Sequence, residues 1–231
     1  CKNYPEIPII VPVDAKGRLT EEAGMFAGLT TEEANKPIAL HLEKIGALFA
    51  LKKIEHQYPH CWRCHKPVIF RATSQWFCSV DDFKDDAVKA AEDVKWFPEW
   101  GKDRLQSMVK ERADWCISRQ RKWGVPIPVV YCQDCGKEII DNDIMMKVSK
   151  IFGEEGSDAW FAHDTEYFLP EGFKCPHCGS AKGFDKEKDI MDVWFDSGSS
   201  HAAVCARRKY LKVPADVYLE GADQYRGWFQ S

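Results

Sequence analysis

Six of the ten cysteines in this 231-residue sequence form Cys-x-x-Cys pairs: Cys61/Cys64, Cys132/Cys135 and Cys175/Cys178. A pair at that spacing points two sulfurs at one place from a tight turn. Two such turns complete a tetrahedral thiolate site for Zn2+, with Zn–S distances of about 2.3 Å. Cys132-Gln-Asp-Cys135 and Cys175-Pro-His-Cys178 are each followed by a glycine, Gly136 and Gly179. Glycine there supplies the positive φ that a knuckle backbone needs. The 39 residues between Cys135 and Cys175 exceed a compact finger loop, so the expectation is an elaborated zinc ribbon. Four thiolates leave no open coordination position, which favours a structural metal over a catalytic one. The competing reading is four free buried thiols. Cys61 and Cys64 have no matching pair in the sequence. His60 and His65 flank them, and either is a candidate further ligand. A partner pair outside these 231 residues, or two reduced thiols on a turn, are the other readings.

The elements that must hold these groups belong to an ordinary globular composition, 45% hydrophobic and 29% charged. No apolar run approaches the roughly 18 residues that a membrane span needs, so no membrane role is expected. Paired cysteines without a secretory signal point to a reducing compartment, the cytoplasm. A net charge of −4 shows no basic nucleic-acid footprint in the total. Locally the picture differs. Residues 101–123 carry Lys102, Arg104, Lys110, Arg112, Arg119, Arg121 and Lys122 with Trp115 and Trp123 interleaved. That stretch is either a solvated helix face plus a loop or a surface for phosphates.

The coarse expectation is a strand over 9–13, a reversal at 14–17, and a helix opened by the capping-box pattern Thr30-Thr31-Glu32-Glu33. Ala34, Ile38, Leu42 and Ile45 would share its apolar face, and Gly46 would close it. Strands are expected over 48–56, 68–71 and 129–132. Helices are expected over 83–93, 102–114 and 141–152. Residues 115–128 read as irregular, and 192–200 as a turn-rich segment after a short strand. At the end, Val217 and Leu219 suggest a strand and Gly221-Ala222 a turn. Asp223 then reads as a helix N-cap, with Gln224 and Trp228 one helical turn apart. Strand, tight turn, helix is where open α/β sheets bind ligands. The fold class is therefore α+β. A chain that starts on Cys1 and stops inside such a unit reads as an excerpt of a longer polypeptide.

Three segments carry a family resemblance: WCISRQRKWGVPIP (115–128), DVWFDSGSSH (192–201) and YLEGADQYRGWF (218–229). Together with YPHCWRCHKPVIFRATSQWF (58–77), they resemble the middle of a class I aminoacyl-tRNA synthetase of the isoleucine type. The resemblance covers essentially the whole chain. The first motif is shared with the valine and leucine enzymes. The second and third favour isoleucine: the valine enzyme typically reads T-W-F-S-S where this chain has Val193-Trp194-Phe195-Asp196-Ser197.

The resemblance implies that residues 1–57 end an editing β-barrel-type insertion and that 58–128 form a helical connective region. It makes 129–213 a zinc-ribbon insertion and 214–231 the start of the second half of a Rossmann-type fold. The implied reaction is ATP-dependent activation of isoleucine, with Mg2+, and its transfer to tRNA(Ile) by a monomeric enzyme. By family analogy Glu220, Gly221, Asp223 and Gln224 contact the adenylate, and Trp194 and Trp228 pack on the isoleucine side chain. Arg119, Arg121 and Lys122 either guide the tRNA acceptor end or brace the halves of the active site. The family's two ATP motifs, H-x-G-H and K-M-S-K-S, are not in this sequence, so no catalytic residue is assigned and this stretch alone is expected to be inactive. Lys147-Val148-Ser149-Lys150 imitates the second but reads as helix surface. The alternatives are a non-catalytic zinc-ribbon module that binds RNA, and the valine enzyme.

Overall fold

The structure is a computed structural model that describes Tyr4 and residues 6–230, the side chain of Gln230 excepted. It divides into two compact units, Cys1–Ser74 and Gln75–Ser231. Among the described residues the first unit carries helices and isolated β-bridges, and the second carries helices and short strand pairs, an α+β architecture. Among the described residues, no helix is long and apolar enough to cross a membrane.

In the first unit the reversal at 14–17 forms as its residues dictate. Asp14 Oδ1 accepts from the backbone N–H of Lys16 (2.7 Å) and Arg18 (2.9 Å), and Gly17 takes φ 77°. Val13 and Leu19 close the turn as an antiparallel bridge. Helix α1 (Thr31–Lys44) starts with the expected capping box, Glu33 N–H donating to Thr30 Oγ1 at 3.2 Å and Thr30 N–H to Glu33 Oε2 at 2.8 Å. Its inner face is Ala34, Ile38 and Leu42, but Ile45 lies past the last turn and is 59% exposed. The expected strands over 9–12, 48–56 and 68–71 do not form. Extended apolar segments become strands only when another strand accepts their N–H groups. Among the described residues these segments make only single bonds, such as Thr20 N–H to Pro12 C=O and Val68 N–H to Pro59 C=O, and no ladder.

The second unit holds the core. Strand β1 (Phe77–Cys78) pairs antiparallel with β2 (Trp115–Cys116). Helices α2 (Asp81–Ala90) and α3 (Trp100–Lys110) pack together, joined by Gln106 Nε2 donating to Val88 C=O at 3.0 Å and Glu92 Oε1 at 2.6 Å. Strand β3 (Ser118–Arg119) follows, inside the stretch expected to be irregular. A three-stranded sheet places β4 (Val130–Cys132) between β5 (Glu138–Ile139) and β6 (Phe184–Lys186). Helix α4 (Asn142–Glu155) is capped by Asp141, whose Oδ1 accepts from Asp143 and Ile144 N–H at 2.9 and 3.0 Å. It lays Ile144, Val148 and Ile151 against the sheet, so Val148 of the Lys-Val-Ser-Lys stretch is core, not surface. Helix α5 (Ala159–Ala162) inserts Trp160, fully buried, against Phe168 with ring centroids 4.8 Å apart.

Strand β7 (Ile190–Met191) pairs antiparallel with β3, Ser118 opposite Met191 and Arg119 opposite Ile190. It leads into α6 (Val193–Gly198), where a turn-rich segment was expected, and a π-type turn over His201–Cys205 follows. Residues 216–220 are exposed and make no ladder, so the expected final strand is not formed among the described residues. Two 3-10 turns, Ala222–Arg226 and Trp228–Gln230, replace the expected single helix.

Gly124 shows how tightly β7 is seated. Its φ is 150°, and a Cβ there would lie 2.5 Å from Ile190 Cδ1, a side chain only 3% exposed. Gly124→Ala is expected to destabilise the second unit by about 2–4 kcal/mol, through backbone strain plus overpacking. A denaturant midpoint unchanged within error would contradict that.

Candidate functional site

Two matched turns build the metal site. In the first, Cys132 N–H donates to Lys137 C=O at 3.0 Å and Gly136 N–H returns to Cys132 C=O at 2.8 Å, with Gly136 at φ 68°. In the second, Cys175 N–H donates to Ser180 C=O and Gly179 N–H to Cys175 C=O, both at 2.8 Å, with Gly179 at φ 74°. The turns face each other. Cys132 Sγ lies 3.7 Å from Cys178 Sγ, Cys135 Sγ lies 3.8 Å from Cys175 Sγ, and all four sulfurs lie within 4.8 Å of one another. A tetrahedron with Zn–S arms of about 2.3 Å has edges of about 3.8 Å. The donor set and its spacing therefore fit a four-thiolate metal. Cys132 and Cys175 are buried at 1% and 2% exposure.

Two features here carried no signal in the spacing. Ser180 Oγ donates to the Asp134 carboxylate, and His177 Nε2 lies 3.0 Å from Glu138 C=O, so each turn is tied to the other's neighbourhood. Burial pushes the Cys175 thiol up, but N–H groups of His177 and Cys178 with the adjoining sulfurs outweigh it and bring it down to about 6. At Cys178 the N–H of Ser180 favours the thiolate, yet burial and the other three sulfurs push the group up to about 12. Sulfurs this close can all ionise together only where a cation offsets their mutual repulsion.

Cys61 and Cys64 lie in the other unit. Cys61 N–H donates to Lys66 C=O and His65 N–H to Cys61 C=O, both at 2.8 Å, the same pattern as in the two glycine turns. His65 takes the glycine's place at φ 57°. The N–H groups of Cys64 and Arg63 hold the Cys61 thiol below its usual range. His60 Nδ1 instead faces Tyr58 C=O at 2.8 Å. Among the described residues, neither His60 nor His65 joins Cys61 and Cys64 in a metal-holding group.

The remaining expected site residues gather where α6 packs against the turn Trp228–Gln230. Trp194 sits on α6 and is 38% exposed. Trp228 Nε1 donates to Glu220 Oε1 at 3.1 Å, and its ring lies 4.4 Å from that of Tyr218. Gln224 Nε2 donates to Asp223 Oδ2 at 3.0 Å. The N-cap position falls on Gly221, so Asp223 stands inside the turn and caps nothing. Gly227, at φ −115° and ψ −133°, breaks the helical path, so Gln224 and Trp228 are not one turn of one helix. Gly221 lies close to the Asp223 carboxylate: a Cβ there would be 2.4 Å from Asp223 Oδ1, an exposed side chain that can swing away.

The three basic residues separate. Arg119 Nη2 pairs with Asp192 Oδ2 at 3.1 Å, and its Nη1 donates to the C=O of Cys116 (2.7 Å) and Ser118 (2.8 Å). The same Asp192 oxygen accepts from Trp115 Nε1 at 2.9 Å. Arg121 and Lys122 are exposed and, among the described residues, pair with no carboxylate. They line a cleft of about 860 Å3 with Lys186 and Lys188 and with the acidic Asp185 and Glu187. Asp192, 4% exposed, is the residue that the spacing of motifs did not reveal.

The family described as tRNA synthetases class I (I, L, M and V) matches residues 14–231, and the chain belongs to that family. It is 62% identical over its whole length to the isoleucine--tRNA ligases of Caldicellulosiruptor saccharolyticus and Caldicellulosiruptor bescii. It is 57% identical, again over all of it, to that of Carboxydothermus hydrogenoformans. The chain covers 25% of each of these relatives, about a quarter of their length.

Proposed function

We propose that this chain is a segment of an isoleucine--tRNA ligase, a cytoplasmic monomer that activates isoleucine with ATP and Mg2+ and transfers it to tRNA(Ile). Identity of 62% along the entire chain to ligases of that name carries this reading. Neither the RNA-binding ribbon nor the valine enzyme has an observation of its own in its favour.

Within it, residues 1–57 end the editing insertion, 58–128 connect, 129–213 hold the ribbon, and 214–231 re-enter the catalytic fold. Cys132, Cys135, Cys175 and Cys178 would hold a structural Zn2+, which supplies cross-linking of the two turns and no reaction step. Cys61 and Cys64 are half of a second site. The knuckle hydrogen bonds and the positive φ of His65 support that role, since a non-glycine residue adopts that conformation at a cost.

In the amino-acid pocket, the exposed Glu220 carboxylate accepts the substrate ammonium. Trp228, bonded to the same carboxylate, and Trp194 flank the aliphatic side chain. Gly221, Asp223 and Gln224 face the adenylate. The barrier falls through positioning of substrates and neutralisation of phosphate charge. Arg121 and Lys122 contact tRNA phosphates. In the full-length enzyme, Glu220→Ala is expected to lower kcat/KM for isoleucine in ATP–pyrophosphate exchange about 10–150-fold, the worth of one charged hydrogen bond. A change under about twofold would remove Glu220 from the ammonium site.

A further inference from the structure

Among the described residues no charged side chain is as buried as Asp192, and it stands between two segments far apart in sequence. Its N–H donates to Ile117 C=O at 2.7 Å, immediately after the β3–β7 pairing. Its carboxylate takes both the Trp115 indole and the Arg119 guanidinium. Trp115 is in turn covered by Arg112, whose guanidinium carbon lies 5.3 Å from the ring centroid. Asp192 is also the residue from which α6 departs, so Trp194 follows two positions on.

We propose that Arg119 and Asp192 are positioning residues for the amino-acid pocket: their ion pair, with Trp115, fixes the start of α6 and thereby the wall that Trp194 presents. The proposal rests on the ligase reading of Trp194. It takes Arg119 out of the set of tRNA contacts. Its guanidinium already serves one carboxylate and two carbonyls, and turning to a phosphate would strand a buried carboxylate. Only the Asp192 end of the pair is buried, the Arg119 side chain being 39% exposed, and beside a reacting centre a misplacement by about 1 Å can cost about 100-fold in rate.

The test uses the full-length ligase containing this segment, in tRNA-independent ATP–pyrophosphate exchange and in tRNA binding across salt. Arg119→Gln is expected to raise KM for isoleucine about tenfold or more, with KM for ATP within about twofold, and Arg119→Lys to restore most of it. The salt slope of tRNA binding stays as in the parent for Arg119→Gln, and falls by about 0.7–0.9 for Arg121→Gln. If Arg119→Gln lowers the salt slope by that amount and leaves KM for isoleucine alone, Arg119 is a phosphate contact and the proposal is wrong. If Arg119→Gln and Arg119→Lys raise both substrate KM values alike, the pair is merely structural, which also overturns it. Should Arg119→Gln fail to fold, Trp115→Phe removes the indole donor, keeps an aromatic ring under Arg112, and carries the same isoleucine-specific expectation. An unchanged KM there is equally fatal. Absence of isoleucine-dependent exchange in the parent would refute the ligase reading, an outcome distinct from all of these.

Discussion

Replacing Cys175 with serine is expected to remove the bound metal and unfold the ribbon around it. The chain as it stands should carry about one zinc by atomic absorption, and the variant close to none. Structural zinc sites of this kind contribute about 10–16 kcal/mol of apparent binding free energy, as large as the whole stability of a typical domain. Besides the metal, the two turns are joined by the Ser180–Asp134 and His177–Glu138 hydrogen bonds and by a short sheet. Strand β4 pairs with β5 over two residues and with β6 over three. The Cys132 and Cys175 side chains are themselves part of the core that contains Trp160 and Phe168. Without the cation, the sulfurs that lie within 4.8 Å of one another can ionise only against mutual repulsion. Amide hydrogen exchange of Val130–Cys132 should lose its protection. Protection kept in a metal-free variant would show that the apolar core alone suffices. Near two zincs per chain would contradict the half-site reading of Cys61 and Cys64.

Glu187→Ala should be the most damaging substitution away from the metal, costing about 3–5 kcal/mol. The Glu187 carboxylate accepts from Trp76 Nε1 at 2.8 Å and Tyr131 OH at 2.5 Å through Oε2. Its Oε1 accepts from Lys188 and Asp189 N–H at 2.6 and 2.9 Å. Each hydrogen bond to a charged acceptor is worth about 1.5–3 kcal/mol, and truncation leaves an indole and a phenol without acceptors. Glu187→Gln keeps one acceptor oxygen and should lose about half as much. The pH dependence has two limbs. Burial pushes the Glu187 carboxyl up, but the four donors outweigh it and hold the group below 4.5. A lowered folded value means that this stabilisation is complete above the unfolded value and is lost as pH falls through the folded one. Tyr131, pushed up to about 12 from 10.0 by burial and by Glu187, behaves oppositely. Its contribution is complete below 10.0 and disappears as pH rises toward about 12. Stability of the parent should therefore fall on both flanks, and Glu187→Ala should flatten the acid one. Parallel acid limbs in urea titrations would exclude this role for Glu187.

What could be read in advance was whatever is encoded within a few residues. The Thr30–Glu33 box and the Asp14–Gly17 reversal are closed by neighbours in sequence, and both formed. The two glycine-followed thiol turns are local in the same sense. Their convergence was legible too, because tetrahedral thiolate chemistry demands a second pair. The strands expected over 48–56 and 216–220 failed for the opposite reason. Alternation marks a segment that can pair, but a ladder exists only when another strand arrives. The helix expected after Asp223 broke at Gly227, whose backbone angles no spacing rule foresees.

The sequence by itself determined the turns, the caps, the four-thiolate chemistry and the motifs by which the family is recognised, since each is set by side chains close along the chain. Only the tertiary structure decided that Arg119 faces Asp192 while Arg121 and Lys122 face solvent. It alone placed Trp76 and Tyr131 on one carboxylate and joined α6 to the Trp228 turn. Those partners lie tens of residues apart. Their meeting depends on strand register and core packing, which are properties of the whole fold and not of any window of it.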